Sequence, residues 1–131
     1  PATGKADTVI KDLKNARALA LDKNGKIYVS VAEPDQQVLV FDSTGKQISS
    51  IGRKGGRSAV GVYDASGMYQ TFALAIDGEN KLWVMESNRY PKRVSVCNIE
   101  TGALIKEFYG MTHYGASGGA IIPGSPSSSE L

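Results

Sequence analysis

The sequence contains few of the side chains that build cross-links or metal sites. Cys97 is its single cysteine and His113 its single histidine among 131 residues. An internal disulfide, a cysteine-rich zinc site and a site built from several histidines are therefore excluded within this chain. No apolar run approaches the ~20 residues that a membrane-spanning helix needs, so membrane insertion is not expected.

The sequence also has no large excess of positive or negative charge. The 15 basic and 13 acidic residues are interspersed and give a net charge of +2. Nucleic-acid binding normally needs a concentrated basic surface, so no nucleic-acid partner is expected. The short basic cluster of Arg53, Lys54 and Arg57 is interpreted as part of a solvated loop.

Motifs for a catalytic nucleophile or a phosphate cradle are absent as well. Ser58, Ser66 and Ser117 lack the Gly-x-Ser-x-Gly frame of a nucleophile elbow. The glycine-rich stretch 115–119 has no P-loop lysine. Neither a serine hydrolase nor a nucleotide-binding loop is therefore predicted.

An internal repeat is the strongest feature that the sequence does contain. Residues 18–22 (ALALD) recur as 73–77 (ALAID), and residues 26–29 (KIYV) recur 55 positions later as KLWV. Residues 38–42 (VLVFD) match VSVCN at an offset of 56. The insertions fall between the matched blocks, as loop insertions do in a duplicated structural unit.

Each unit of the repeat is predicted to contain four short strands. The run Ile27, Tyr28, Val29 is rich in strand-forming residues, and valines alternate at period two in the third strand. Turns containing Asn or Gly connect the strands. The fold class is therefore predicted to be all-β, with tandem four-stranded antiparallel meanders of the kind that form β-propeller blades. The predicted strands are 17–21, 26–31, 37–42, 46–51, 72–76, 81–86, 93–98 and 103–109.

These blocks resemble the NHL-type β-propeller repeat. That pattern has a first strand ending in Asp, an Asn/Gly turn, an aliphatic-aromatic-Val strand, an Arg-Val-x-Val-Phe-Asp strand and a last strand ending in Gly. The resemblance covers roughly residues 16–110, and departs from the pattern at Gln37, where Arg is usual, and at Cys97, where an aromatic is usual. It implies a secreted or cell-surface protein from a family that includes protein-, carbohydrate- and RNA-binding modules and some lactonase- or lyase-type enzymes.

The chain is expected to contain two blades and parts of their neighbours. Residues 1–15 include Thr8–Ile10, interpreted as the outer strand of a preceding blade. Two blades cannot close a ring, since propellers have four to eight, and the sequence begins with Pro1. We therefore expect a fragment of a larger, six-bladed protein, or alternatively a unit that self-associates. The expected segments are blade 1 at 16–53, a long loop at 54–71, blade 2 at 72–110, a loop with an inner strand of a next blade at 111–122, and a flexible tail at 123–131.

We expect the functional residues at one end of the sheets. The loops between the second and third strands of each blade and the connections between blades lie at this end, which we call the long-loop face. Long connections cost ordering entropy and often persist for binding. Carboxylates there could hold Ca²⁺, and tyrosines could stack on a sugar or peptide or pack between blades. No other cofactor is expected. The candidate ligand-binding residues are Glu33, Asp35, Tyr63, Tyr69, Glu86, Asn88, Arg89, Tyr90, His113 and Tyr114.

Three functions are compatible with this pattern. The leading hypothesis is a non-catalytic propeller segment that binds a protein or glycan through the long-loop face. The second is part of a metal-dependent hydrolase or lyase, with carboxylates from several blades around a central ion. The third is a self-assembling structural unit whose exposed strand edges pair between copies.

Overall fold

A computed structural model of the chain describes residues 4, 7–87 and 91–110. These residues form eight β-strands and no helix, and hence no helix able to cross a membrane. The strands are β1 (Ala16–Leu21), β2 (Ile27–Val31), β3 (Gln37–Phe41), β4 (Gln47–Ile51), β5 (Thr71–Ile76), β6 (Lys81–Glu86), β7 (Arg93–Asn98) and β8 (Leu104–Tyr109).

The strands form two four-stranded antiparallel meanders. Their orders are β1-β2-β3-β4, which we call blade 1, and β5-β6-β7-β8, which we call blade 2. Every strand begins and ends within one residue of the sequence-based bounds. The predicted all-β class of tandem meanders is therefore confirmed.

The four turns that join the first to the second and the third to the fourth strand of each blade are held by side-chain-to-backbone hydrogen bonds. The three Asp turns bond the amides two and four residues on, whereas Asn98 bonds those of Glu100 and Thr101. In the first turn, Asp22 Oδ1 accepts from the backbone amides of Asn24 at 2.8 Å and Lys26 at 2.9 Å. Gly25 adopts a φ of 79°, which glycine reaches without steric cost. These local bonds favour a turn wherever the pattern occurs. The acceptors in the other three turns are Asp42, Asp77 and Asn98.

The two blades pack face to face around one apolar core. Tyr28 and Val38 of blade 1 lie in the same buried cluster as Leu82 and Val84 of blade 2. Met68, from the connection between the blades, completes it. Because the burial of apolar surface drives such packing, the connection is part of the core and not only a linker.

Residues 8–10 form no strand within the described part of the chain, and their assignment to the outer strand of a preceding blade stays a prediction. The segment lies across blade 1, where the carbonyl of Val9 is so close to Gly45 that any Cβ there would overlap it. Leu13 lines a cavity of about 420 Å³ together with Phe41 of blade 1. A strand needs a neighbouring strand to satisfy its backbone groups, and the described residues supply none for this segment. The expected strand in 111–122 and the tail 123–131 lie outside the described residues.

Candidate functional site

The connection between the blades, residues 52–70, folds back on itself over the long-loop face. Its outgoing and returning arms are joined by backbone hydrogen bonds from Arg53 N to Ser66 O at 2.9 Å and from Arg57 N to Met68 O at 3.0 Å. The two arms therefore form a stem, and residues 58–63 form the tip that it carries.

A buried ion cluster attaches this stem to blade 2. Glu86, at the end of β6, lies 2.5 Å from Arg57 Nη2 and 2.6 Å from Arg93 Nε, and all three side chains are buried. Burial raises the pKa of Glu86, although Arg93 and Arg57 act in the opposite direction. Burying ions is costly unless they are paired and hydrogen-bonded, so the cluster holds only when all its members are present.

The side chain of Arg93 also binds the backbone of the returning arm. Its guanidinium donates to the carbonyl oxygens of Gly67 at 2.7 Å and Ala65 at 2.9 Å. It contacts Glu107 of β8 at 2.6 Å as well. One side chain on β7 therefore joins the connection, β6 and β8.

The tyrosines of the connection pack against the same cluster. Arg57 lies 5.6 Å from the ring centre of Tyr63 and 5.5 Å from that of Tyr69, both within cation–π range. The Tyr63 hydroxyl donates to Glu107, which also accepts from Tyr109 at 2.8 Å. Burial acts to raise the pKa of Glu107, but these hydrogen bonds and Arg93 outweigh it and lower the pKa. These tyrosines therefore already contact charged side chains of the protein itself.

The tip of the connection is apolar and open to solvent. Val60 is 84% exposed and Val62 is 98% exposed, with Gly61 between them at a φ of 111°. Buried Arg57 precedes this segment and hydrogen-bonded Tyr63 follows it. Two aliphatic side chains are therefore presented on a short loop that is anchored at both ends.

A polar cleft of about 440 Å³ lies between the first strands of the two blades. Asn15 Nδ2 donates to the backbone carbonyl of Glu33, and the buried hydroxyl of Thr71 has no hydrogen-bond partner among the described residues. The cleft can accept small polar groups at the long-loop end of the sheets. Its lining residues are Asn15, Arg17, Ala32, Glu33, Gln70, Thr71, Phe72 and Ser87.

The structure separates the carboxylates predicted to share a site. Glu33 lines the polar cleft, whereas Asp35 lines the cavity under the N-terminal segment and pairs with Lys54 at 3.7 Å. Glu86 is enclosed by arginines and is not exposed to a ligand. Within 4, 7–87 and 91–110, no three His, Cys, Asp or Glu residues are grouped to hold a metal ion, so Ca²⁺ binding stays a prediction.

The remaining candidates divide into two groups. Tyr63 and Tyr69 lie on the connection and contact the buried cluster, as described above. The other five lie outside the described residues: Asn88, Arg89, Tyr90, His113 and Tyr114.

The roles of the arginines that organise this face were not predicted from the sequence. The interpretation of Arg57 as part of a solvated loop is wrong, since only 3% of it is exposed. The signal for Arg93 was its position in the Arg-Val-x-Val motif. Gln37 stands at the equivalent position of blade 1 and has a similar role, because its Nε2 donates to Gly52 O at 2.6 Å.

Comparison of the chain with protein-family models finds no match, and comparison with curated proteins finds none either.

Proposed function

We propose that this chain is a non-catalytic β-propeller segment that binds a protein partner through its long-loop face. The docking element is the tip 58–63. The observation that carries the proposal is the exposure of Val60 and Val62 on a loop anchored by the buried ion cluster.

Single exposed valines are common on protein surfaces and need no explanation. Here two of them flank a glycine at the tip of an anchored stem. Burying a valine fully contributes about 1.5–3 kcal/mol. Because both ends of the loop are held by the stem, less conformational entropy is lost when a partner covers it than for a loop without such contacts.

The environment of the tyrosines favours a protein over a glycan. Sugar-binding sites use exposed aromatic faces. The faces of Tyr63 and Tyr69 lie against Arg57, and the hydroxyl of Tyr63 bonds to Glu107. Tyr63 is 42% exposed, but the most exposed side chains of the tip are the aliphatic Val60 and Val62, which suit an apolar pocket on another protein.

The repeat resembles the NHL type, and the described contacts support that assignment. Arg93 of the Arg-Val-x-Val block joins its blade to the connection, and the Asp or Asn of each turn forms the local hydrogen bonds that the pattern implies. Protein binding through the loop face is one of the activities that the resemblance implies. The enzyme alternative has less support, because Glu86 is enclosed and Glu33 and Asp35 line separate cavities.

A random peptide phage library selected on the purified wild-type chain tests the proposal. Selected peptides are expected to bind at least tenfold more weakly to a Val60→Asp/Val62→Asp variant. The matched control is Ile48→Asp, which changes an equally apolar, exposed residue on β4, away from the tip. Its affinity for the peptides should equal that of the wild type.

A parallel glycan array separates the two ligand classes. Failure to select peptides that discriminate between the tip variant and the control would overturn the proposal. So would glycan binding that is abolished by Arg17→Ala in the polar cleft and unaffected by the tip variant.

A further inference from the structure

A cavity of about 320 Å³ lies where β7 and β8 of blade 2 meet the end of β4 and the connection between the blades. We call it the inter-blade cavity. Its volume is at the lower end of the ~300–1,000 Å³ that is usual for small-molecule sites. The side chains that line it include Ser95 and Cys97 of β7, Leu104 of β8, Ile51 of β4 and Met68 of the connection.

The β7 wall of this cavity carries small polar side chains where the first unit of the repeat has large apolar ones. Leu39 and Phe41 occupy the equivalent positions of β3, 56 residues earlier in the sequence. They line the space of about 420 Å³ under the N-terminal segment. Blade 2 therefore places a hydroxyl and a thiol, those of Ser95 and Cys97, where blade 1 has only hydrocarbon side chains.

The hydroxyl of Ser95 is a buried polar group without a partner. Only 1% of Ser95 is exposed, and its Oγ has no hydrogen-bond partner within the part of the chain that the structure describes. Because side chains alternate along a strand, Ser95 shares its face of β7 with Cys97, which belongs to the core between the blades. A buried hydroxyl without a partner is unfavourable, and it can both donate and accept. An occupant of the cavity that bonds to it would remove this penalty.

The charged and ionisable groups around the cavity favour an uncharged occupant. Of the two arginines that line it, Arg53 is paired with Asp64 at 2.7 Å. Arg93 belongs to the buried ion cluster, where it is paired with carboxylates. Burial raises the pKa of the Cys97 thiol, so the thiol stays protonated at neutral pH. These groups therefore offer a ligand neither an unpaired cation nor a thiolate.

We propose that the inter-blade cavity binds an uncharged, mainly apolar small molecule whose polar group hydrogen-bonds to Ser95. In small-molecule sites apolar side chains provide most of the contact, and a few polar groups fix the orientation of the ligand. Here the apolar contacts come from Ile51, Met68 and Leu104, and the orienting group is the Ser95 hydroxyl. This site is separate from the tip 58–63 and does not depend on a partner binding there.

Indole and indene are matched probes for this site. Both are flat, uncharged bicyclic molecules of nearly equal size, but only indole has an N–H that can donate to Ser95 Oγ. Isothermal titration calorimetry on the wild-type chain should show that indole binds about tenfold more tightly than indene. In Ser95→Ala the affinity for indole should fall to that for indene, whereas indene should bind as it does to the wild type.

Filling the cavity separates binding there from binding elsewhere on the protein. Cys97→Phe introduces the side chain that blade 1 has at the equivalent position, Phe41, and should abolish the binding of both probes. Leu21→Phe is the matched control, because it adds the same ring at a residue that is 60% exposed and does not line the cavity. Its affinities should equal those of the wild type. Circular dichroism shows whether each variant keeps the fold, and Cys97→Leu replaces Cys97→Phe if that variant does not.

The single cysteine provides an independent measurement of occupancy. Because Cys97 is the only thiol of the chain, alkylation by iodoacetamide reports on this cavity alone. Indole should slow the alkylation of the wild type, and indene at the same concentration should slow it less. An unchanged alkylation rate, equal affinities of the wild type for the two probes, or binding that persists in the filled variant would each overturn the proposal.

Discussion

Replacing Glu86 with glutamine is the most informative single perturbation of the buried ion cluster. The change removes one negative charge and keeps the side-chain volume, so it creates no cavity. It leaves the guanidinium groups of Arg57 and Arg93 buried without their common counterion. The backbone amide of Tyr69 also loses a charged acceptor, 3.0 Å away.

The expected cost is large compared with the stability of a small domain. Removing one partner of a buried ion pair typically costs about 3–5 kcal/mol, whereas whole domains are stable by roughly 5–15 kcal/mol. With a denaturant dependence of about 2 kcal/mol/M, the urea midpoint should fall by roughly 2 M. Asp35→Asn makes the same chemical change in an exposed pair with Lys54, separated by 3.7 Å, and should cost less than about 1 kcal/mol.

Urea unfolding followed by circular dichroism measures both variants. All samples should be compared at one protein concentration, because self-association would stabilise the folded state by mass action. Equal losses of stability in Glu86→Gln and Asp35→Asn would refute the argument that the buried cluster holds the connection on blade 2.

Two further predictions concern the N-terminal segment and acid stability. Gly45→Ala should destabilise the fold strongly, because the new Cβ would overlap the carbonyl of Val9. At Gly55 the new Cβ would enter open space, so Gly55→Ala should cost only the ~1–2 kcal/mol of placing alanine at a positive φ. Equal urea midpoints for the two variants would contradict this. The lowered pKa of Glu107 means that its ionised form stabilises the fold above its usual pKa of 4.5, and that this contribution is lost as pH falls through the lower value of the folded state. Glu107→Gln should therefore be less stable than the wild type at pH 7 and lose less stability on acidification, and an unchanged pH dependence would count against the network.

The strands and hairpins could be predicted from the sequence because their determinants are local. Each turn is fixed by an Asp or Asn and residues within four positions of it, as at Asp77 and Lys81. The alternation of valines in β3 and β7 places them on one side of each sheet, and in β3 this is the side that faces the core. Repetition of the whole pattern then identified both sheets.

The connection could not be predicted because its contacts are distant in sequence. Arg57 and Glu86 are 29 residues apart, and a charged residue in a glycine-rich loop is usually solvated. The strand predicted at residues 8–10 depends on a partner in the same way. Their β-branched composition is typical of a strand, but a strand also requires a neighbouring strand, and composition carries no information about one.

The two ends of the sheets are held by contacts that differ in sequence separation, and this difference affects the folding kinetics. At the turn end, contacts form between residues close in sequence and should appear early, since low contact order favours rapid folding. At the long-loop end, Arg57, Glu86, Arg93 and Glu107 must be brought together after the strands pair. Interactions made after the transition state govern the rate of unfolding and leave the folding rate almost unchanged. The surface proposed to bind a partner is therefore the last to assemble and the first to open, and a bound partner would slow unfolding by closing it.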